Sequence, residues 1–122
     1  MATVVTNAGK GIITNRIKGS GTEPNYIAWG TGAGTAAITD TTLFTEAAEA
    51  RVGGTSTQQT TTTTNDTYQV VGTMTAGGSR SITNAGLFDA NTSGNLFMKG
   101  DFATVSLNTS DSIAFTFKVQ FS

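Results

Sequence analysis

The last residues of the chain alternate between apolar and polar side chains with a strict period of two. In an extended strand, Ile113, Phe115, Phe117, Val119 and Phe121 would share one face, and small or polar side chains would share the other. Five apolar residues at this spacing are typical of a half-buried antiparallel strand. We therefore predict that the C-terminus belongs to the core.

Composition extends this β assignment to the rest of the chain. Threonine supplies about a fifth of the 122 residues, and β-branched side chains favour strands. Residues 67–75 also alternate, and turns rich in Gly, Ser, Asn and Asp separate the predicted strands. These features predict an all-β, mainly antiparallel fold, either a β-sandwich or a jelly-roll-like barrel, with one or two short helices.

The length predicts a single β domain over residues 1–122. Residues 1–6 would form a short strand or an extended N-terminal arm. Asn7 is then placed to cap a short helix. The apolar side chains on or near one face of this helix are Ile12, Ile13 and Ile17.

A threonine-rich stretch at residues 51–64 predicts a long, exposed strand. Its end at residues 60–64 is uncharged and β-prone, so a free edge there would invite pairing with another chain. We expect Thr61 and Thr63 to contact a neighbouring subunit, which would make assembly part of the fold.

Two aromatic residues also bear on association. Tyr26 and Trp29 stand three residues apart in a predicted strand, so they would point to opposite faces. One of them is expected in the core and the other at an interface, where large aromatic side chains dominate the binding energy. The complete set of interface candidates is Val4, Val5, Trp29, Phe44, Thr61 and Thr63.

The absent residue types exclude several classes of chemistry. The chain has no cysteine and no histidine, which excludes disulfides, thiolate or histidine zinc sites and the usual general base near neutral pH. A net charge of −1 argues against broad phosphate-backbone binding, and no apolar run suits a transmembrane helix or a signal peptide. We therefore predict no catalytic residues, no cofactor, no metal, and no nucleic-acid, membrane or small-molecule partner.

Three short motifs resemble ligand sites only in part. Residues 30–34 have the spacing of a nucleotide-binding turn but lack its third glycine, which predicts a surface loop. Residues 89–94 match the start of a calcium loop, but Gly100 stands where the bidentate glutamate should be, which favours an Asx-rich turn. A glycosidase needs two catalytic carboxylates, and Glu46 and Glu49 are close enough in sequence to be considered as such a pair. Nothing in the sequence marks them as buried.

The basic residues are scattered, with one local group. Lys10, Arg16 and Lys18 fall on the predicted helix. A solvated helix face explains them, and contact with an acidic partner surface is the alternative.

One stretch resembles a known motif. The sequence ITNAGLFDA at residues 82–90, followed by GNL at 94–96 and GDF at 100–102, is similar to a β-hairpin motif of tailed-bacteriophage structural proteins. Tail-fibre attachment domains have a related version. The segments at residues 26–32, 42–46 and 68–73 extend the resemblance to most of the chain, which looks like a small phage virion protein.

The resemblance implies a non-enzymatic structural protein of the virion, made in the host cytoplasm. The first expectation is a capsid decoration, or cement, protein that binds the major capsid protein on the outer head surface as a homotrimer and stabilises the lattice. The alternative is a tail, collar or baseplate protein, or a fibre adaptor. A carbohydrate-binding module that stacks sugars on Trp29, Tyr26 or Tyr68 is a third hypothesis, and an enzyme is the fourth.

Overall fold

The computed structural model describes all 122 residues, Met1–Ser122. It consists of eight strands and one helix, which confirms the predicted all-β class. In chain order the elements are β1 (Thr3–Val5), α1 (Asn7–Lys18), β2 (Tyr26–Gly30), β3 (Val52–Gly53), β4 (Thr55–Gln59), β5 (Thr67–Thr75), β6 (Arg80–Phe88), β7 (Leu96–Leu107) and β8 (Ser112–Gln120).

The strands form two antiparallel sheets that pack face to face as a β-sandwich. One sheet has the order β1-β7-β6-β2-β3, and the other has the order β4-β5-β8. Aromatic side chains cross between them: the ring centroids of Trp29 and Phe115 lie 6.3 Å apart, and those of Tyr68 and Phe97 lie 6.1 Å apart. Both pairs meet edge to face, a favoured arrangement of aromatic rings. The core therefore lies between the sheets.

The C-terminal strand has the predicted alternation, but it is buried less than expected. β8 pairs with β5 along its whole length, from Thr67 opposite Gln120 to Thr75 opposite Ser112. Phe117 is buried, whereas Phe121 lies beyond the strand and is 52% exposed. The expectation that Phe121 is a core residue is wrong, because the sheet ends at Gln120.

The N-terminus forms a short strand within the domain. β1 pairs with β7, with Thr3 opposite Gly100, so residues 3–5 lie on the chain's own sheet. The helix that follows is capped by Thr6, whose hydroxyl accepts a hydrogen bond of 2.9 Å from the Gly9 N–H. The predicted cap at Asn7 was therefore one residue late.

Only part of the apolar helix face is packed. Ile12 is buried in the core and Ile13 is half-buried, but Ile17 is 81% exposed. The close contact with β7 is at the start of α1, where Gly9 lies against the Phe97 backbone. The last turn of the helix leaves Ile17 in solvent.

The threonine-rich stretch is a strand only as far as Gln59. In the loop that follows, the N–H groups of Thr63, Thr61 and Thr62 donate hydrogen bonds of 2.9, 2.8 and 3.0 Å to the Asp66 carboxylate. These bonds hold the pKa of Asp66 well below its usual range. The predicted strand at residues 60–64 is wrong, because Asp66 takes the backbone donors that a strand edge would offer.

We expect deletion of residues 113–122 to abolish folding. The deletion removes nearly all of β8, which leaves β5 without a partner on one side and exposes the apolar side of the larger sheet. Thermal melting followed by circular dichroism should show no cooperative transition. A control that lacks only residues 121–122 should melt cooperatively, since both lie beyond the strand. A soluble, cooperatively melting long truncation would contradict the prediction.

Alanine at the two glycines of α1 should have opposite effects. A Cβ at Gly9 would stand 2.1 Å from the Phe97 carbonyl oxygen, whereas one at Gly11 would meet nothing within 4 Å. Gly9→Ala should cost about 1–3 kcal/mol of unfolding free energy through overpacking. Gly11→Ala should add about 0.5–1 kcal/mol through helix propensity. Urea unfolding measures both, and equal effects would show that the helix is not seated on β7 as described.

Candidate interaction surface

The outer face of the larger sheet is covered by residues 40–51, which we call the strap. Leu43 in the strap packs with Ala28, Phe88 and Leu96 in a second apolar cluster outside the main core. The Asn84 amide accepts a hydrogen bond of 3.0 Å from the strap N–H of Phe44 and donates one of 3.1 Å to its carbonyl. The middle of the larger sheet, on β2 and on β6 from Asn84 to Phe88, is thus buried on both faces.

A buried lysine anchors the start of the strap. The side chain of Lys99 on β7 is 1% exposed, and its ammonium lies 3.0 Å from the Asp40 carboxylate. It also donates a hydrogen bond of 2.8 Å to the Thr42 carbonyl and stands 3.2 Å from the centre of the Phe44 ring. The pKa of Asp40 is lowered, first by the Ala37 N–H and then by Lys99, and burial opposes the shift.

The two glutamates considered as a glycosidase pair are both held by arginines. Glu46 forms a bidentate pair with Arg51 at 2.9 and 3.0 Å. Glu49 lies 2.9 Å from Arg80 and accepts a hydrogen bond of 2.9 Å from the Trp29 indole N–H. Burial alone would raise the pKa of Glu49, but the hydrogen bonds from Arg80 and Trp29 lower it overall. Both glutamates therefore help to hold the strap in place.

The other two ligand-like motifs also have structural roles. A Cβ at Gly30 would stand 2.4 Å from the Phe44 carbonyl oxygen, so glycine permits the strap to approach β2. The Asp89 carboxylate accepts a hydrogen bond of 2.7 Å from the Asn95 N–H and closes the turn between β6 and β7. Gly94 in that turn has a φ of +73°, a conformation that suits glycine.

The six interface candidates fall on four separate segments. Trp29 is fully buried inside the chain, so it offers no surface to a partner and its prediction as an interface residue is wrong. Tyr26 lies on the opposite face of β2, against the outer cluster, as the strand period requires. The half-buried candidates are Val4 and Val5 on β1 and Phe44 in the strap, and the exposed ones are Thr61 and Thr63 in the loop before β5.

A groove that the sequence did not predict lies between α1 and the smaller sheet. The groove has a volume of about 520 Å³, and Ile17 and Phe121, both largely exposed, contribute to its lining. We call it the α1 groove. Its lining includes Ile13, Arg16, Ile17, Glu23, Tyr68 and Phe121. The sequence signal that could have indicated this groove was the spacing of Ile13 and Ile17, which stand four residues apart and therefore lie on one face of the helix.

Comparison with known proteins shows which class and which family of proteins the chain belongs to. A family model for the podophage GP4 fiber I protein gp80 matches residues 10–120. The protein is therefore a structural protein of the phage virion, and it belongs to this family. No curated protein sequence and no solved structure matches it. No helix here has the length and apolar character that a bilayer crossing requires.

Acid should weaken the strap. The folded-state pKa of Asp40 lies below its ordinary value of 3.8, so its contribution to stability is complete above that pH and is lost as the pH falls through the folded-state pKa. We expect the free energy of unfolding to be steady from neutral pH to about pH 5 and to fall below about pH 4. Urea titrations at each pH measure it.

Asp40→Asn tests the same contact. The variant should lose about 1.5–3 kcal/mol at neutral pH, the usual range for a hydrogen bond to a charged group. It should also lose less stability between neutral and acid pH than the unmodified chain. A pH profile identical to that of the unmodified chain would contradict the role of Asp40.

Proposed function

We propose that the chain is a non-enzymatic fibre subunit attached to the phage tail. The observation that carries the proposal is the match to a fiber protein family over residues 10–120. The geometry supports it, because the polar side chains that resembled ligand sites hold the strap and the hairpin turn in place. A rigid sandwich with satisfied polar groups suits a structural role.

We also propose that copies of the chain associate as a homotrimer. The smaller sheet ends at β4 on one side and at β8 on the other, and each of these strands has one unpaired edge. Unpaired edges present backbone donors and acceptors to another strand. Beside β8 lies a second groove, of about 420 Å³, lined in part by Phe102, Phe115 and Phe117. A strand from a neighbouring copy would cover these rings.

The location in the virion can be tested by immunogold labelling of intact particles, with the copy number from a quantitative gel. Label at the tail, in a few to tens of copies, is the expected result. Label spread evenly over the head in hundreds of copies would replace the fibre proposal with capsid decoration. Particles that contain no copy of the chain would overturn both.

The oligomeric state is a separate measurement. Light scattering on the purified chain, over a range of concentrations, should give the mass of three copies. A mass of one copy at every concentration would contradict the trimer in solution, and native mass spectrometry of material released from particles would then decide whether it forms on the virion.

A further inference from the structure

The α1 groove combines an apolar floor with exposed apolar rims. Tyr68 and Phe97 line it from the two sheets, and Ile13 lines it from the helix. At its rims, Ile17 is 81% exposed and Phe121 is 52% exposed. Large apolar side chains exposed this far leave water against hydrocarbon, and covering them would be favourable. The groove therefore has the features of a docking surface.

The charge around the groove is positive and uncompensated. Lys10, Arg16 and Lys18 all belong to α1, and none of them takes part in an ion pair. Glu23 is the one carboxylate in the groove, and it accepts a hydrogen bond of 2.8 Å from the Ser56 hydroxyl. In the lining itself Arg16 and Glu23 offset each other, and Lys10 and Lys18, which lie on α1 outside the lining, leave the helix side with an excess of positive charge. Acidic groups on a partner would complement it.

A second copy of the chain does not combine an exposed apolar residue with free carboxylates beside it. Among its exposed large apolar side chains, only Ile38 has a carboxylate within two residues, and that carboxylate, Asp40, pairs with Lys99. Each of its eight carboxylates already accepts a hydrogen bond within the molecule or pairs with a cation. Their partners are Ser56 for Glu23, Lys99 for Asp40, Arg51 for Glu46, Arg80 for Glu49, Thr61 for Asp66, Asn95 for Asp89, Ala2 for Asp101 and Asn108 for Asp111. The lack of an exposed apolar residue beside free carboxylates thus favours a different protein as the occupant.

We propose that the α1 groove binds a segment of another virion protein in which an apolar anchor is flanked by carboxylates. The apolar anchor would cover Ile17 and Phe121, and the carboxylates would meet the cations of α1. The proposal rests on the chain being a virion structural protein, and it holds whether the chain lies on the head or on the tail.

The experiment places a photo-crosslinking benzophenone amino acid at Ile17 in the full chain, supplied to cells during phage assembly. Purified particles are irradiated, and mass spectrometry identifies the adduct. The matched control carries the same group at Ile38, which is 48% exposed and outside the groove. We expect at least tenfold more adduct from position 17, joined to another virion protein beside an apolar residue flanked by Asp or Glu.

A charge reversal tests the electrostatic part. Arg16→Glu in the position 17 photo-crosslinking chain should lower the adduct yield at least fivefold, because Arg16 is the cation that lines the groove. Thr92→Glu is the control, because Thr92 is exposed in the turn between β6 and β7 and lies outside both grooves. Circular dichroism melts of each variant confirm folding. Equal yields from the two variants would overturn the acidic-partner assignment.

The remaining outcomes also decide the proposal. An adduct with a second copy of the chain, an adduct with lipid or lipopolysaccharide, or a yield no higher than at position 38 would overturn it. The gel that quantifies the adduct also shows whether the chain is in the particle. Absence from the particle would refute the virion role, whereas presence without the adduct would refute only the docking surface.

Discussion

The middle of the larger sheet needs cover on both faces, and the rest of the architecture follows from this constraint. On β6, the residues from Asn84 to Phe88 are all buried, which a half-exposed antiparallel strand would not allow. The smaller sheet covers the inner face, and the strap covers the outer one. Because the strap has little regular structure, its backbone polar groups need partners from side chains. Asn84 and Lys99 supply them from the sheet.

The strap also explains where three of the few charged side chains of this protein are used. Arg51, Arg80 and Lys99 are spread over the sequence, yet each of them ends at the strap or beside it. The guanidinium of Arg51 also lies 3.6 Å from the centre of the Phe88 ring and donates to the carbonyls of Ala90 and Ser93. Of the four cations that are left without an ion pair, three lie on α1.

The motif at residues 82–90 has a physical role in this fold. Leu87 points into the main core and Phe88 into the outer cluster, so adjacent residues serve the two buried faces. Asn84 binds the strap, and Asp89 closes the turn that leads to β7. The motif therefore encodes a strand buried on both sides together with the contacts that hold its cover.

The sequence by itself determined the fold class, the alternation of β5 and β8, and the turns, because a period of two and turn chemistry are local properties. Its resemblance to phage structural proteins also indicated the class of protein. Only the tertiary structure decided that Trp29 is buried, that residues 60–65 close around Asp66, and that Ile17 and Phe121 line one groove. These features depend on contacts between residues far apart in the chain, such as Trp29 with Glu49 and Lys99 with Asp40. No local pattern specifies them.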